Sequence, residues 1–260
     1  MSADPWPEGV ARHALATVDS TNAMAARLAP SLSGPAWIMA GEQTAGRGRR
    51  GRFWASPRGN FYATHVMHPT ESPEVVALRS FVAALALRDA CVTLTGMPDA
   101  FSLKWPNDVL LNGGKLAGIL LESLGQGGRV QHLAIGIGVN LIAAPDPSLV
   151  EPGAVRPVSL LGETGLRIAP AAFLDTLAPA YARREASFTR YGFAPTREAW
   201  LAHAARLGQP IRARTGQDLR EGIFETVDPS GALVLKTVQG RQAIPAAEVF
   251  FQGGSDASGD

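Results

Sequence analysis

Apolar positions recur along this chain with two different spacings, and the change from one to the other divides it. The residues up to about Val10 are rich in proline, show no periodic face and read as loose. Leu15–Val18 reads as a short strand. Asp19 or Ser20 can then cap a helix that carries Met24 and Leu28 and ends at Pro30. Trp37–Ala40 is an apolar run of strand length, residues 41–58 have no periodicity and read as a long loop, and Asn60–Met67 alternates as a strand does. Ser72-Pro73 starts a long buried helix in which Val75, Leu78, Val82, Leu85 and Cys91 recur, reaching about Thr95. Phe101–Lys104, Val109–Leu111, Leu116–Ser123 and Val130–Asn140 follow as strands. The turn signals Asn112-Gly113-Gly114 and Gly125-Gln126-Gly127-Gly128 make that sheet at least partly antiparallel. Pro170 opens a helix through Phe173, Leu177, Tyr181 and Phe188, in which Pro179 predicts a kink or a break, and a further helix covers Thr196–Ala205. After Gly208 the helical spacing stops. Ile211–Arg214, Gly222–Val227, Leu233–Lys236, Arg241–Ile244 and Val249–Phe251 are short strands separated by turns, the pattern of a small β-barrel. The Gly/Ser/Asp tail, Gly253–Asp260, is expected to be disordered.

Five segments carry more polar chemistry than connectors need. In Gly46–Arg52 four of seven residues are arginine and the rest are glycine. Crowded guanidinium groups on a permissive backbone suit phosphate or carboxylate oxygens, and predict a loop that stays mobile until an anion arrives. Its spacing is neither a Walker loop nor a Rossmann fingerprint. A solvated basic loop or a nucleic-acid arm remains open for this segment taken alone. Lys104-Trp105-Pro106-Asn107-Asp108 projects an ammonium, an indole, an amide and a carboxylate from a short rigid stretch at a strand end. Lys115 stands at the mouth of the strand Leu116–Leu121, where Gly118 permits close approach of a ligand. Gly136-Ile137-Gly138-Val139-Asn140 places two glycines in a strand, which suggests either that something lies flat against it or that the strand bulges. Ser20-Thr21-Asn22, at a helix start, offers both donors and acceptors to a small urea or amide group.

Composition narrows the class. Hydrophobic residues make up 46% of the 260 and charged residues 18%, enough to bury a core. Lys and Arg number 24 against 23 Asp and Glu, so no global basic field argues for nucleic-acid binding. The single cysteine, Cys91, cannot form an internal disulfide. The N-terminus is not a signal peptide, and the apolar stretch Phe81–Leu87 is too short to span a bilayer, so a cytoplasmic location without membrane attachment is expected. His13, His65, His68, His132 and His203 lack metal-ligand spacing, so no metal ligand set is expected, and no nucleophile elbow is present. What remains is a site for an anionic ligand that carries phosphate, attended by lysines.

Gly46–Arg52, Lys104–Asp108, Lys115–Leu120 and Gly136–Asn140, in this order, resemble the biotin–protein ligase family over about Ser20 to Phe251. The fold that the resemblance implies is α+β: a mixed, largely antiparallel sheet flanked by helices, followed by a small SH3-like β-barrel. It implies a catalytic domain over residues 1–206, the barrel over 207–252 and a tail over 253–260. Some members carry an N-terminal DNA-binding module, for which the residues before Ser20 are too few, so no nucleic-acid partner is expected. By the resemblance, Ser20, Thr21, Asn22, Gln43, Arg47, Gly48, Arg49, Lys115, Gly118, Gly136 and Gly138 surround biotin. Arg47, Arg49, Arg50, Arg52, Trp54, Lys104, Asn107, Lys115 and Asn140 are placed on the nucleotide, and Arg49, Lys104, Asp108 and Lys115 at the chemistry. The implied reaction joins biotin to ATP as biotinyl-5′-AMP, with Mg²⁺ on the phosphates. Biotin then passes to a lysine of a biotin carboxyl carrier domain. Monomer and homodimer are both open. The rival readings are a lipoate–protein ligase or octanoyltransferase, which shares the general fold, and a nucleic-acid-binding protein using the basic loop.

Overall fold

A computed structural model describes residues 4–126, 129–151, 153–216 and 218–251. The larger sheet is built from seven strands in the order β1-β2-β3-β7-β6-β5-β4. These are β1 (Ala11–Leu15), β2 (Ala36–Ala40), β3 (Phe61–Met67), β4 (Phe101–Lys104), β5 (Asp108–Leu111), β6 (Gly114–Gln126) and β7 (Arg129–Val139). Only β1 and β2 pair in parallel, and every other neighbour is antiparallel, as a mixed and largely antiparallel sheet requires. The first strand lies earlier than its hydrophobic run suggested. Ala11–Leu15 pairs with β2, whereas Val18 makes only an isolated bridge to Gln43. The Pro-rich start is also less loose than its composition implied. Trp6 packs on the core and donates its indole N–H to the Val10 carbonyl at 2.7 Å.

Strand alternation sorts the faces of this sheet. On one face α1 (Thr21–Leu28) seats Ala25 and Ala29 against Ile38, Val66 and Ala134. Phe61, Ala63, Ile135, Ile137 and Val139 point the other way. They join the main core with α3 (Arg79–Thr95) and α5 (Pro170–Tyr191). Where one helix was expected from Ser72 to Thr95, two occur, α2 (Pro73–Ala77) and α3, meeting at Leu78. Of the kink or break expected at Pro179, the break does not occur. α5 runs unbroken through 22 residues, with Pro179 buried in it. The helix expected at Thr196–Ala205 is α6 (Phe193–Leu201), which begins directly after Gly192. A short α4 (Leu160–Thr164), which the spacing did not reveal, ends the loop that leaves β7.

The second sheet holds β8 (Pro210–Thr215), β9 (Asp218–Val227), β10 (Leu233–Thr237), β11 (Gly240–Ile244) and β12 (Glu248–Phe251), all antiparallel, in the order β11-β10-β9-β8-β12. All five strands fall where the short alternating runs placed them. This antiparallel sheet agrees with the expected SH3-like unit, although it is not closed into a full barrel. Among the described residues no hydrogen-bonded pairing joins β11 to β12. Trp200 packs near Phe81 and Phe224, and the Trp105 indole donates to the Gly231 carbonyl at 3.1 Å, so the two sheets share one core. Gly127 and Gly128 of the glycine turn after β6, and the tail from Gly253, lie outside the described residues.

Candidate active site

Beyond the first turn of α1, the face of the large sheet that carries this helix opens into a cleft of about 480 Å³ that reaches β12 of the second sheet. Every residue that the resemblance placed on biotin, on the nucleotide or at the chemistry lines it: Ser20, Thr21, Asn22, Gln43, Arg47, Gly48, Arg49, Arg50, Arg52, Trp54, Lys104, Asn107, Asp108, Lys115, Gly118, Gly136, Gly138 and Asn140.

At one end α1 presents its first turn. Ser20 is the N-cap, but its side chain makes no capping bond, and the Asp19 carboxylate accepts the Ser20 N–H instead. The Arg27 guanidinium, then the Ser20 N–H, hold the Asp19 carboxyl well below the usual carboxylate range. The Thr21 N–H donates to Gln43 Oε1 at 2.8 Å, and Gln43 Nε2 donates to Ser56 Oγ at 3.0 Å. That chain fixes which way the Gln43 amide faces. Asn22 reaches across β7: its Nδ2 donates to Glu122 Oε2 at 2.8 Å and to the Leu120 carbonyl at 3.3 Å. Gly136 leaves it that room, since a Cβ there would lie 2.3 Å from Asn22 Oδ1.

In the middle, Gly118 and Gly138 are register partners on β6 and β7. The group lying flat against them is Trp54 of the same chain. A Cβ on Gly138 would lie 2.7 Å from indole Cε2 and Nε1, and one on Gly118 would lie 3.3 Å from Cζ3. The Trp54 Nε1 is buried without a partner.

At the far end β4 and β5 set Lys104 and Asp108 side by side as a register pair, and β6 brings Lys115 to them. Asp108 Oδ1 lies 2.8 Å from Lys115 Nζ, and Oδ2 lies 3.5 Å from Lys104 Nζ. Burial alone would raise the Asp108 pKa, but Lys115 and then Lys104 outweigh it and the net shift is downward. Burial pushes the Lys104 pKa down, against the pull of Asp108. The ammonium of Lys115 also stands 5.7 Å from the Trp54 ring. Two amides in this wall already serve the backbone. Asn107 Nδ2 donates to the Ile119 carbonyl at 2.6 Å, and Asn140 Nδ2 to the Val158 carbonyl at 3.1 Å. Trp105 is not in the wall: its indole is buried in the core beneath.

The arginine segment departs from its expected character in one respect. It is a tight hairpin closed by Trp54 N–H to the Gly46 carbonyl and Gly48 N–H to the Arg52 carbonyl, at 3.0 and 2.7 Å. Arg50 and Gly51, at its tip, are both left-handed, with φ of 58° and 73°. Its crowded arginines already meet carboxylates of the same chain, and three are paired. Arg52 lies against Glu248 and, at 2.9 Å, Glu151. Arg50 is 3.4 Å from Glu248, and Arg47 is 4.0 Å from Glu122. Arg214 joins both acids from β8. Burial alone would raise the Glu248 carboxyl, but the bonds from Arg52 and Arg214 outweigh it and hold it at about 2. Among the described residues Arg49 has no carboxylate within ion-pair distance. It reaches only the Ala247 carbonyl, at 3.4 Å, and burial, then Arg50, lower its pKa.

Sequence reasoning missed Thr64, Glu122, Glu151 and Glu248. Thr64 carried a faint signal, lying on the face of β3 that its own alternation sets opposite the core. Glu151 lies in a loop without any pattern, and Glu248 is one acid in an ordinary strand.

Two family profiles match the chain: the "Biotin/lipoate A/B protein ligase family" over residues 15–140 and the "Biotin protein ligase C terminal domain" over 207–252. A biotin--[acetyl-CoA-carboxylase] ligase of Paracoccus denitrificans is 61% identical over 92% of this chain and 100% of its own length. A solved Aquifex aeolicus biotin protein ligase in complex with biotin and ATP is 26% identical. It superposes with a TM-score of 0.79 over 92% of this chain and 98% of that one. A Leishmania major biotin protein ligase in complex with biotinyl-5-AMP is 25% identical, with a TM-score of 0.65 over 92% of this chain and 100% of that one. With the fold, the C-terminal sheet and a relative matched along its whole length in agreement, the chain belongs to the biotin–protein ligase family.

Proposed function

We propose that this chain activates biotin with ATP and transfers it to a lysine of a biotin carboxyl carrier domain. The observation that carries the reading is the convergence of five separated sequence segments on one cleft whose two ends differ in chemistry. The α1 end, with Ser20, Thr21, Asn22 and Gln43, supplies the neutral donors and acceptors that a ureido ring needs. The Lys104–Asp108–Lys115 end supplies fixed positive charge beside a carboxylate. Gly118 and Gly138 form the flat wall between them.

In this reading a carboxylate oxygen of biotin attacks the α-phosphorus of ATP and pyrophosphate leaves. Lys115 holds the two mutually repelling anions together, and Lys104 with Arg47, Arg49, Arg50 and Arg52 faces the phosphates. The acceptor amine then attacks the acyl carbon of the adenylate, loses a proton and expels AMP. The arginine hairpin and Trp54 shield the anhydride from water. Asn107 and Asn140 shape the nucleotide wall by holding backbone in place. Among the described residues no group of three or more metal-ligating side chains occurs. The cleft's carboxylates also lie against cations: Asp108 against lysines, Glu151 and Glu248 against arginines. Mg²⁺ accompanying ATP would add charge neutralisation at the phosphates that Lys104, Lys115 and the arginines face. The same reading makes residues 1–206 the catalytic unit and 207–252 the part that backs the arginine hairpin, in a cytoplasmic enzyme whose acceptor is a protein. No described helix is long and apolar enough to cross a membrane.

A thermal-shift titration tests the ligand assignment. Biotin, and biotin with ATP, should raise the melting temperature in a saturable way, and lipoate at the same concentrations should not. A lipoate response without a biotin response would contradict the reading.

A further inference from the structure

Thr64 lies on β3 beneath the α1 end of the cleft, fully buried. Its hydroxyl oxygen is 2.6 Å from Asn22 Oδ1 and 2.8 Å from Thr21 Oγ1. A hydroxyl has one proton to give and two lone pairs to receive with, and the neighbours leave one way to arrange them. Asn22 Nδ2 faces two groups that only accept, the Glu122 carboxylate and the Leu120 carbonyl. The amide oxygen must therefore face Thr64, and Thr64 must donate to it. With that proton spent, Thr64 accepts from Thr21, whose own proton is thereby committed inward. The competing acceptor, Gln43 Oε1, is farther from Thr21 Oγ1, at 3.2 Å, and already takes the Thr21 N–H at 2.8 Å.

We propose that Thr64 is a positioning residue for substrate selection: it turns Thr21 into a hydroxyl that can only accept, so that this end of the cleft selects a ligand presenting an N–H. A cyclic urea presents such an N–H beside its carbonyl. The inference rests on the reading of the cleft as a biotin site. Without the Thr64 hydroxyl, the Thr21 proton is free to turn toward the cleft, where it meets the ligand N–H donor against donor. Asn22 Oδ1 loses its donor in the same step.

The test compares Thr64→Val, close in shape but without the hydroxyl, with Thr64→Ser, which keeps it. Adenylate formation is followed by pyrophosphate release while biotin and ATP are titrated separately. Thr64→Val should raise the KM for biotin about tenfold, the effect of one net hydrogen bond. Its kcat and KM for ATP should stay near the parent's, and Thr64→Ser should restore the biotin KM. If Thr64→Val does not fold, Thr64→Ala carries the same comparison. An unchanged biotin KM, or equal losses toward biotin and ATP without rescue by serine, overturns the role of Thr64. A parent protein that makes no adenylate from biotin overturns the functional reading itself, which is a separate outcome.

Discussion

Lys115 shows how much one side chain can be asked to do here. Its ammonium is 2.8 Å from Asp108 and stands over the ring of Trp54, at the junction between the glycine wall and the charged end. Its backbone is held from both sides, with N–H to the Arg156 carbonyl at 2.8 Å and carbonyl to the Val158 N–H at 2.9 Å. Lys115→Ala should therefore leave the strand in place and remove the charge. A charge-assisted contact is worth about 1.5–3 kcal/mol, or roughly 10- to 150-fold in rate if it forms in the transition state. Single-turnover adenylation should fall by that factor with the circular dichroism spectrum unchanged, and normal turnover would show that the lysine only pairs with Asp108. Gly138→Ala is a second test at this scale. The new methyl would meet the indole of Trp54 at 2.7 Å, so the ring must move. Tryptophan emission should shift and biotin binding weaken, and an unaltered spectrum would contradict the close packing. Both glycines were legible in the sequence because glycines inside a strand cost stability without a purpose, whereas Lys115 and Asp108, charges that a strand end can simply leave solvated, stood out only beside the other motifs and through the resemblance. Thr64 was not, because a threonine in a strand needs no such purpose.

The arginine hairpin carries the largest difference between expectation and structure. Its composition says anion binding and mobility, and four like charges in seven residues do repel one another. What the local sequence could not show is that Glu151 and Glu248, far along the chain, arrive to neutralise them. Partly exposed ion pairs of this kind contribute about 1 kcal/mol each at most, so the hairpin is tethered rather than locked. Glu248→Gln should loosen it: amide exchange at residues 46–52 should speed up several-fold without ligand, and bound adenylate should leave faster. Equal exchange in the parent and the variant would show that the tether is not what orders the loop. Arg49, which among the described residues reaches only the Ala247 carbonyl, is well placed to serve a ligand. Arg49→Gly should weaken retention of the adenylate more than its synthesis, read by filter-bound label against pyrophosphate release. Loss of synthesis itself would instead place Arg49 at the chemical step. Other elements differed for comparable reasons of context. α5 continues through Pro179 because packing of Phe173, Leu177 and Tyr181 in the core outweighs one missing backbone bond. β1 sits at Ala11–Leu15 because its parallel partner is there, although that run is only half apolar.

Over the whole molecule, the strands of both sheets other than β1 were legible because period-two runs bounded by turns have few other readings. Their order was not, since pairing between distant strands leaves no local mark. The loop 140–160, which braces Lys115 from outside the sheet, was equally silent. Stability as a whole should bear the imprint of His65, fully buried between Trp37 and Tyr181 and pushed down to about 4 by burial. Its folded pKa lies below the ordinary value of 6.5, so its neutral form favours folding above pH 6.5 and that contribution is lost as pH falls toward 4. The shift corresponds to roughly 3 kcal/mol at most. Urea unfolding at pH 7 and 4.5 should show a smaller acid loss for His65→Phe than for the parent, and parallel losses would contradict this account. The central claim is that the cleft condenses biotin with ATP, and product analysis after mixing the purified chain with both tests it most directly. The account predicts biotinyl-5′-AMP and pyrophosphate in equal amounts, with the biotin moving to a carrier-domain lysine when that domain is added. No adenylate from biotin, with an acyl-adenylate from lipoate in its place, would contradict it.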